Sequence, residues 1–288
     1  MNVLITGANG FIGRNITEQL SSRHRIYSPS RTQLNLLNSG EVDQFFSKRK
    51  IDIVIHCAVV GGSRTEEYKN DSFSQNLRMF FNVVKNAKRY RKIIHFGSGA
   101  EYNKQQSLVG VKESRFGKSV PLDDYGFYKY CCSQYLDKLD DAVNLRIFGV
   151  FGKFDDYRYR FISNAICRNI SGLPITINQN VRFDYVYIDD LVRIVEIILD
   201  RKSFKVTYNI GTGRRIELLA IARKINELSI HKSRIIVKKT GLNNEYTCNN
   251  SQLMRSLGHF SFSNFDDSLR NLYNWYLENP DKYIKKDL

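Results

Sequence analysis

The sequence predicts an α/β fold of the doubly wound kind, a parallel sheet with helices on both faces and a smaller C-terminal lobe. Three observations carry this. Short β-rich runs alternate with helical stretches through the first half of the 288 residues. A glycine-rich turn, Gly7-Ala-Asn9-Gly10-Phe11-Ile12-Gly13, falls between the first strand and the first helix. From about residue 153 the regularity weakens, with Gly172-Leu-Pro174 and Asn178-Gln-Asn180 as turn signals.

Asn2–Thr6 is a short apolar run suited to a strand buried on both faces. Arg14–Leu20 carries a helical apolar rhythm. In the turn between them Gly7 allows the tight bend, Gly10 lets the backbone approach a pyrophosphate, and Gly13 lets helix and strand pack closely, with the phosphates at the helix N-terminus. That order of strand, glycine turn and helix is the context that turns a weak glycine pattern into a Rossmann-type nucleotide-binding expectation. Further strands are expected at Arg25–Ser28, Ile51–His56, Lys92–Gly97, Ala142–Phe148 and Val206–Ile210, and helices at Gly40–Ser47 and Ser72–Arg89. The ligand of such a sheet lies at the carboxyl ends of the strands. Residues 1–152 are expected to form mainly the dinucleotide-binding domain and 153–288 mainly the substrate lobe, interleaved with returns to the main sheet. Without a flexible linker or low-complexity tract, the lobes should pack together.

The chain is long enough to bury a full core. Its formal charge of +15 would suit a polyanion-binding protein. Its lysines, however, are scattered, as at Lys85, Lys88, Lys92, Lys202, Lys205, Lys238, Lys239, Lys285 and Lys286. Scattered charge without a recognisable module reads as a solvated surface, so nucleic acid is not an expected partner, and a smaller patch steering a doubly charged nucleotide is easier to defend. No apolar run approaches eighteen residues and no signal-peptide layout is present, so a soluble cytoplasmic protein without membrane insertion is expected. The five cysteines, Cys57, Cys131, Cys132, Cys167 and Cys248, lack metal-ligand spacing and read as reduced packing residues. No metal is expected, and Asp189 and Asp190 read as a helix N-cap.

Tyr125 and Lys129 stand four apart in Asp-Tyr-Gly-Phe-Tyr-Lys. On a helix they share a face, so the ammonium can favour the ionised phenol and make it a usable proton donor near neutral pH.

With these two motifs, Val54-Ile-His-Cys57-Ala58, Gly97-Ser98-Gly99-Ala100-Glu101-Tyr102, Leu145-Arg146-Ile-Phe148-Gly-Val150-Phe-Gly152, Arg182-Phe-Asp-Tyr-Val-Tyr-Ile-Asp189-Asp190 and Tyr208-Asn209-Ile-Gly211-Thr-Gly213, the chain resembles the extended short-chain dehydrogenase/reductase family, which acts on nucleotide sugars. Arg31–Asn38, Val60-Gly-Gly62 and Tyr273–Asn279 make it look most like the GDP-L-fucose synthase branch. The resemblance implies Ser98, Tyr125 and Lys129 as the catalytic triad. It implies cofactor contacts at Gly7, Asn9, Gly10, Phe11, Ile12, Gly13, Asn35, Leu36, Cys57, Ala58, Val59, Phe148 and Val150, with Lys129 also holding the nicotinamide ribose. NAD-preferring relatives place an acid where this chain has Tyr27-Ser-Pro-Ser-Arg31. Arg31 can instead fork onto a 2′-phosphate, which implies NADPH.

For the substrate, the resemblance implies contacts at Ser98, Gly99, Ala100, Arg160, Arg168 and Arg182, the last of them meeting a nucleotide diphosphate. Ala100 and Arg160 stand where the branch's proton-transferring cysteine and histidine are. Alanine moves no proton and arginine stays charged. Dehydratases of the family carry Thr-Asp-Glu where Ser98, Gly99 and Ala100 stand here. The expectation is therefore a 4-ketoreductase acting on a nucleotide-linked 4-keto-6-deoxy sugar, without 3,5-epimerisation, in deoxysugar biosynthesis for surface polysaccharide such as lipopolysaccharide. GDP is the nucleotide the branch suggests, and a homodimer is the expected assembly. The same triad also serves C4 epimerases with retained NAD(P), and a non-catalytic nucleotide-binding protein would keep the fold.

Overall fold

In the computed structural model, which describes residues 1–61, 71–201 and 207–283, a six-stranded sheet organises the chain. Its order is Thr207–Ile210, Ala142–Ile147, Lys92–Ser98, Ile53–His56, Asn2–Thr6 and Arg25–Tyr27, every neighbour pair parallel. The chain leaves the first strand outward to the Arg25–Tyr27 edge and then returns to the opposite side at Ile53–His56. This reversal opens a crevice beyond the carboxyl ends of those two strands.

The apolar runs become strands because both faces are covered. Every residue of Ile53–His56, Lys92–Ser98 and Ala142–Ile147 is buried. One face packs Ile16, Leu20, Leu191, Val195 and Leu253 from the helices Phe11–Leu20, Ile188–Asp200 and Ser251–Leu257. The other packs Val42, Phe45, Phe80, Val83, Cys132 and Leu136 from the helices Ser39–Lys48, Ser72–Val84 and Asp124–Leu136.

The second half builds its own core around Ile166, Ile175, Ile177, Ile221, Leu272 and Tyr276. A small sheet joins Ile216–Glu217, Arg182–Phe183, Tyr246–Cys248 and Leu108–Val111, so a strand of the first half is lent to the second. In exchange Thr207–Ile210 and the helix Ile188–Asp200 return to the main sheet and its core.

Several boundaries move for local reasons. The edge strand stops at Tyr27, two residues before Pro29, which has no N–H to lend a ladder. The first helix starts at Phe11, directly after the glycine turn, and the expected helix Ser72–Arg89 divides into Ser72–Val84 and a 3-10 turn at Ala87–Arg89. Gly62, Lys202, Lys205, Val206, Lys285 and Lys286 lie outside the described residues.

The N-cap reading of Asp189 and Asp190 is corrected. Tyr187 is the cap residue, and both aspartates sit inside the first turn of Ile188–Asp200. The buried Asp190 carboxylate accepts from the Ser263 N–H at 2.9 Å and hydroxyl at 2.7 Å and from Arg193 at 2.6 Å, tying a distant loop to the helix, while Asp189 accepts from Gln19 at 2.7 Å. All five cysteines are free, with Cys132, Cys167 and Cys248 buried. Among the described residues no helix is long and apolar enough to cross a membrane, and no three His, Cys, Asp or Glu side chains gather as a metal set.

Candidate active site

The glycine turn sits at the crevice, and the close approaches there explain its composition. Gly7 holds φ +67°, and a Cβ on it would stand 2.7 Å from the Ala58 backbone, whereas a Cβ on Gly13 would stand 2.4 Å from the Gly7 carbonyl. The loops after the first and third strands thus touch, with Cys57 N–H donating to the Thr6 carbonyl at 3.1 Å. Among the described residues a Cβ at Gly10 meets only the Gly7 carbonyl, at 3.3 Å. The helix Phe11–Leu20 has neither a side-chain cap nor an acidic residue in its first turn. Its leading N–H groups therefore suit an anion, and this chain's turn fits a dinucleotide pyrophosphate.

Asn9 is exposed, Phe11 and Ile12 are half-buried, and Val59 is exposed beside them. Asn76 fastens the rim by accepting from Val60 N–H at 2.8 Å and donating to its carbonyl at 2.9 Å. Arg31 is exposed and makes no hydrogen bond or ion pair among the described residues, in a loop where Ser30 and Thr32 hydroxyls pair at 2.9 Å. Asn35 accepts from Leu37 N–H at 3.1 Å, and Leu36 is buried with its carbonyl held by Asn82 at 2.8 Å.

Ser98 ends the central strand and caps the 3-10 turn Gly99–Tyr102. Its hydroxyl accepts from Ala100 N–H at 3.1 Å, while its own N–H donates to Glu101 at 2.9 Å, a reciprocal capping box. Glu101 also accepts from Ser133 and is ion-paired with Arg146, with all three side chains buried. The Ser98-x-x-Glu101 spacing was a legible signal for this support.

Tyr125 lies in the first turn of Asp124–Leu136, which Asp123 caps by accepting from Gly126 N–H at 3.0 Å. That turn abuts the serine turn so closely that a Cβ on Gly126 would stand 2.9 Å from the Ala100 carbonyl. Lys129 follows one turn later and is buried. Its ammonium donates to the Phe96 carbonyl and stands 5.0 Å over the Tyr128 ring; the cation over the Tyr125 ring is Lys104, at 5.9 Å. Burial, assisted by the Lys129 charge, pushes His56 down to about 3, keeping that imidazole neutral.

Phe148 follows the next strand and lies against Gly99, and Val150 pairs with Val186. Ala100 is 2% exposed, and no group that exchanges protons near neutral pH stands at that position.

The substrate-side arginines divide. Arg182 donates to Glu217 at 3.1 Å at the rim of the small sheet, one residue before Phe183, whose register partner is Tyr246. Arg160 is the N-cap residue of the helix Phe161–Ile170, mostly exposed and 3.8 Å from the buried Asp155. Arg168 donates to the Pro174 carbonyl at 2.5 Å, on a helix packed against Ile175–Asn180, Leu218–Leu228 and Phe265–Glu278, so the structure does not gather it with Ser98.

One residue of the constellation carried no signal in the sequence. Tyr246, in the small sheet, brings its hydroxyl to 3.5 Å from that of Ser98. It lies in the irregular half, with no periodicity or motif to mark it.

A family model described as "NAD dependent epimerase/dehydratase family" matches residues 3–211. Among curated proteins, the chain is 22% identical to a trifunctional UDP-glucose 4,6-dehydratase/UDP-4-keto-6-deoxy-D-glucose 3,5-epimerase/UDP-4-keto-L-rhamnose-reductase of Arabidopsis thaliana. That match takes in 97% of this chain but 48% of the relative, so the chain spans about half its length. It is 23% identical to the GDP-L-fucose synthase of Escherichia coli strain K12, with 98% of each covered. Among solved structures it superposes on a GDP-L-fucose synthetase from Naegleria fowleri bound to NADP with a TM-score of 0.85, at 15% identity, covering 99% of this chain and 95% of the other.

Proposed function

The chain belongs to the NAD dependent epimerase/dehydratase family of nucleotide-sugar-modifying enzymes, and within it we propose an NADPH-dependent reductase of the C4 carbonyl of a nucleotide-linked 4-keto-6-deoxy sugar. The observation that carries this reading is the serine turn, with its buried Ala100, meeting the Tyr125 turn at the carboxyl edge of the sheet that also carries the glycine turn.

NADPH bound along the crevice supplies the hydride that reduces the carbonyl carbon. Tyr125 protonates the developing alkoxide, and Ser98 donates a hydrogen bond to the same oxygen, so two donors meet the charge. Lys129 holds the ribose. Gly7, Gly10 and Gly13 seat the pyrophosphate, with Arg31 on the 2′-phosphate. Ala100 offers no base to the neighbouring carbons, which supports reduction without 3,5-epimerisation. Arg182 meets the nucleotide diphosphate by exchanging its Glu217 partner for phosphate. The similarity to the Escherichia coli GDP-L-fucose synthase supports GDP as the nucleotide. On this reading residues 1–152 serve mainly the dinucleotide and 153–288 mainly the sugar nucleotide, in a homodimeric enzyme of deoxysugar biosynthesis.

The test is NADPH oxidation by purified protein with 4-keto-6-deoxy sugars linked to GDP, dTDP, UDP or CDP. Stoichiometric oxidation with one of them is expected. Interconversion of C4 epimers with no net NADPH consumption would replace the reductase by an epimerase.

A further inference from the structure

Tyr246 reaches the serine turn from outside the main sheet. Its strand pairs with Leu108–Val111 and, at Phe183, with Arg182–Phe183, and its ring is tilted on Phe148 at 5.0 Å and on Phe183 at 5.6 Å. The hydroxyl lies over Gly99, where a Cβ would come within 2.7 Å of it, and stands 3.5 Å from Ser98 Oγ. Burial drives the phenol far above its ordinary value, so it remains a hydrogen-bond donor.

We propose that Tyr246 is a positioning residue for Ser98, donating to its Oγ and thereby turning the Ser98 proton toward the substrate carbonyl. The inference rests on the role given to Ser98 above. A serine hydroxyl has one proton and two lone pairs. Ala100 N–H occupies one lone pair, at 3.1 Å. Once Tyr246 O–H occupies the second, the serine proton has only the open crevice to point into. Without Tyr246 the hydroxyl rotor is free to accept from solvent or substrate, and part of the population presents a lone pair where a donor is needed. The 3.5 Å separation is long for two hydroxyls, and contacts of this kind close up in the substrate complex. Gly99 is what lets the phenol come so near, since any side chain there would displace it.

Tyr246→Phe removes the hydroxyl and keeps the ring on Phe148 and Phe183. The expected result is a kcat lower by about tenfold with KM for NADPH and thermal stability unchanged, the signature of a weakened oxyanion donor rather than of lost packing. Combined with Ser98→Ala it should cost nothing beyond Ser98→Ala alone. Crystals of the parent and the variant with NADP⁺ give a readout independent of turnover. The parent should bring Tyr246 Oη to ~3.0 Å or less from Ser98 Oγ, and the variant should keep Ser98 Oγ on Ala100 N–H, so that only the phenol contact is lost. An unchanged kcat in Tyr246→Phe, or additive losses in the double variant, overturns the proposal. If the parent reduces no keto-sugar, the reductase reading falls separately, and a Tyr246 Oη still 3.5 Å or more from Ser98 Oγ in the parent's NADP⁺ complex then overturns this one.

Discussion

Glu101 and Arg146 form an ion pair sealed beneath the strand end that carries Ser98, with side chains 0% and 2% exposed. Glu101 also accepts from Ser98 N–H and Ser133, and Arg146 donates to Tyr102, whose hydroxyl donates to Asn209 at 2.7 Å. Such a pair is balanced only while both partners remain. Glu101→Gln strands the guanidinium and should cost about 3–5 kcal/mol, read as a lower midpoint in urea unfolding. Glu101→Gln with Arg146→Met should recover much of the loss. A single variant as stable as the parent would show that the pair carries no such weight.

The proposed proton donor, Tyr125, gives the sharpest test of the chemistry. Tyr125→Phe keeps the half-buried ring, which packs edge-on against Tyr128 at 5.6 Å, and deletes only the hydroxyl. Turnover should fall by roughly 10²–10⁴-fold, while NADPH affinity by fluorescence titration stays within a factor of about two, since the phenol contributes to the reacting oxygen rather than to cofactor seating. A variant turning over near the parent rate removes Tyr125 from the mechanism.

In the proposed reading, cofactor choice turns on Arg31, which has no partner of its own among the described residues. Because Arg31 is exposed and unpaired, a 2′-phosphate has no competing carboxylate to displace. A charge-assisted contact is worth about 1.5–3 kcal/mol, so Arg31→Ala should raise KM for NADPH by about tenfold or more and leave NADH kinetics unchanged. Parent enzyme preferring NADH would reverse the assignment.

The parts of the sheet that were legible are those whose burial is symmetric. Ile53–His56 and Lys92–Ser98 are covered on both faces, so they read as short runs rich in Ile, Val and Phe, and the glycine turn is legible because Gly7 and Gly13 stand where backbone approaches backbone. Ser98, Tyr125 and Lys129 are local features of a strand end and one helix, and their spacing survives in the sequence. Tyr246, by contrast, reaches Ser98 only because a three-residue strand pairs with Leu108–Val111, more than 130 positions earlier, and no local pattern encodes that pairing. The Lys129 ammonium illustrates a subtler limit: helical spacing places it on the Tyr125 face, but a rotamer choice sends it to the Phe96 carbonyl. Asp189 and Asp190 show a different limit, since a cap and a first turn differ by one residue of backbone geometry.

Asp155 sets a pH dependence of stability. Its carboxyl is 4% exposed, and burial, opposed by Arg160 and the Asp156 N–H, pushes it up to about 7. In the unfolded chain an aspartate titrates near 3.9. Below about pH 4 the group is protonated in both states and imposes nothing. As pH rises from there the unfolded chain releases the proton while the folded chain retains it, so stability falls, by at most about 1.4 kcal/mol per pH unit. Above about 7 both states are ionised and the loss levels off. Asp155→Asn removes the titration, so melting temperatures of parent and variant should diverge between pH 4 and 7 in the variant's favour and run parallel above. Arg160→Ala withdraws a cation 3.8 Å away that eases the buried charge, and should deepen the decline and extend it to higher pH. Parallel profiles for parent and Asp155→Asn across the whole range would show that the carboxyl is hydrated in solution and titrates normally.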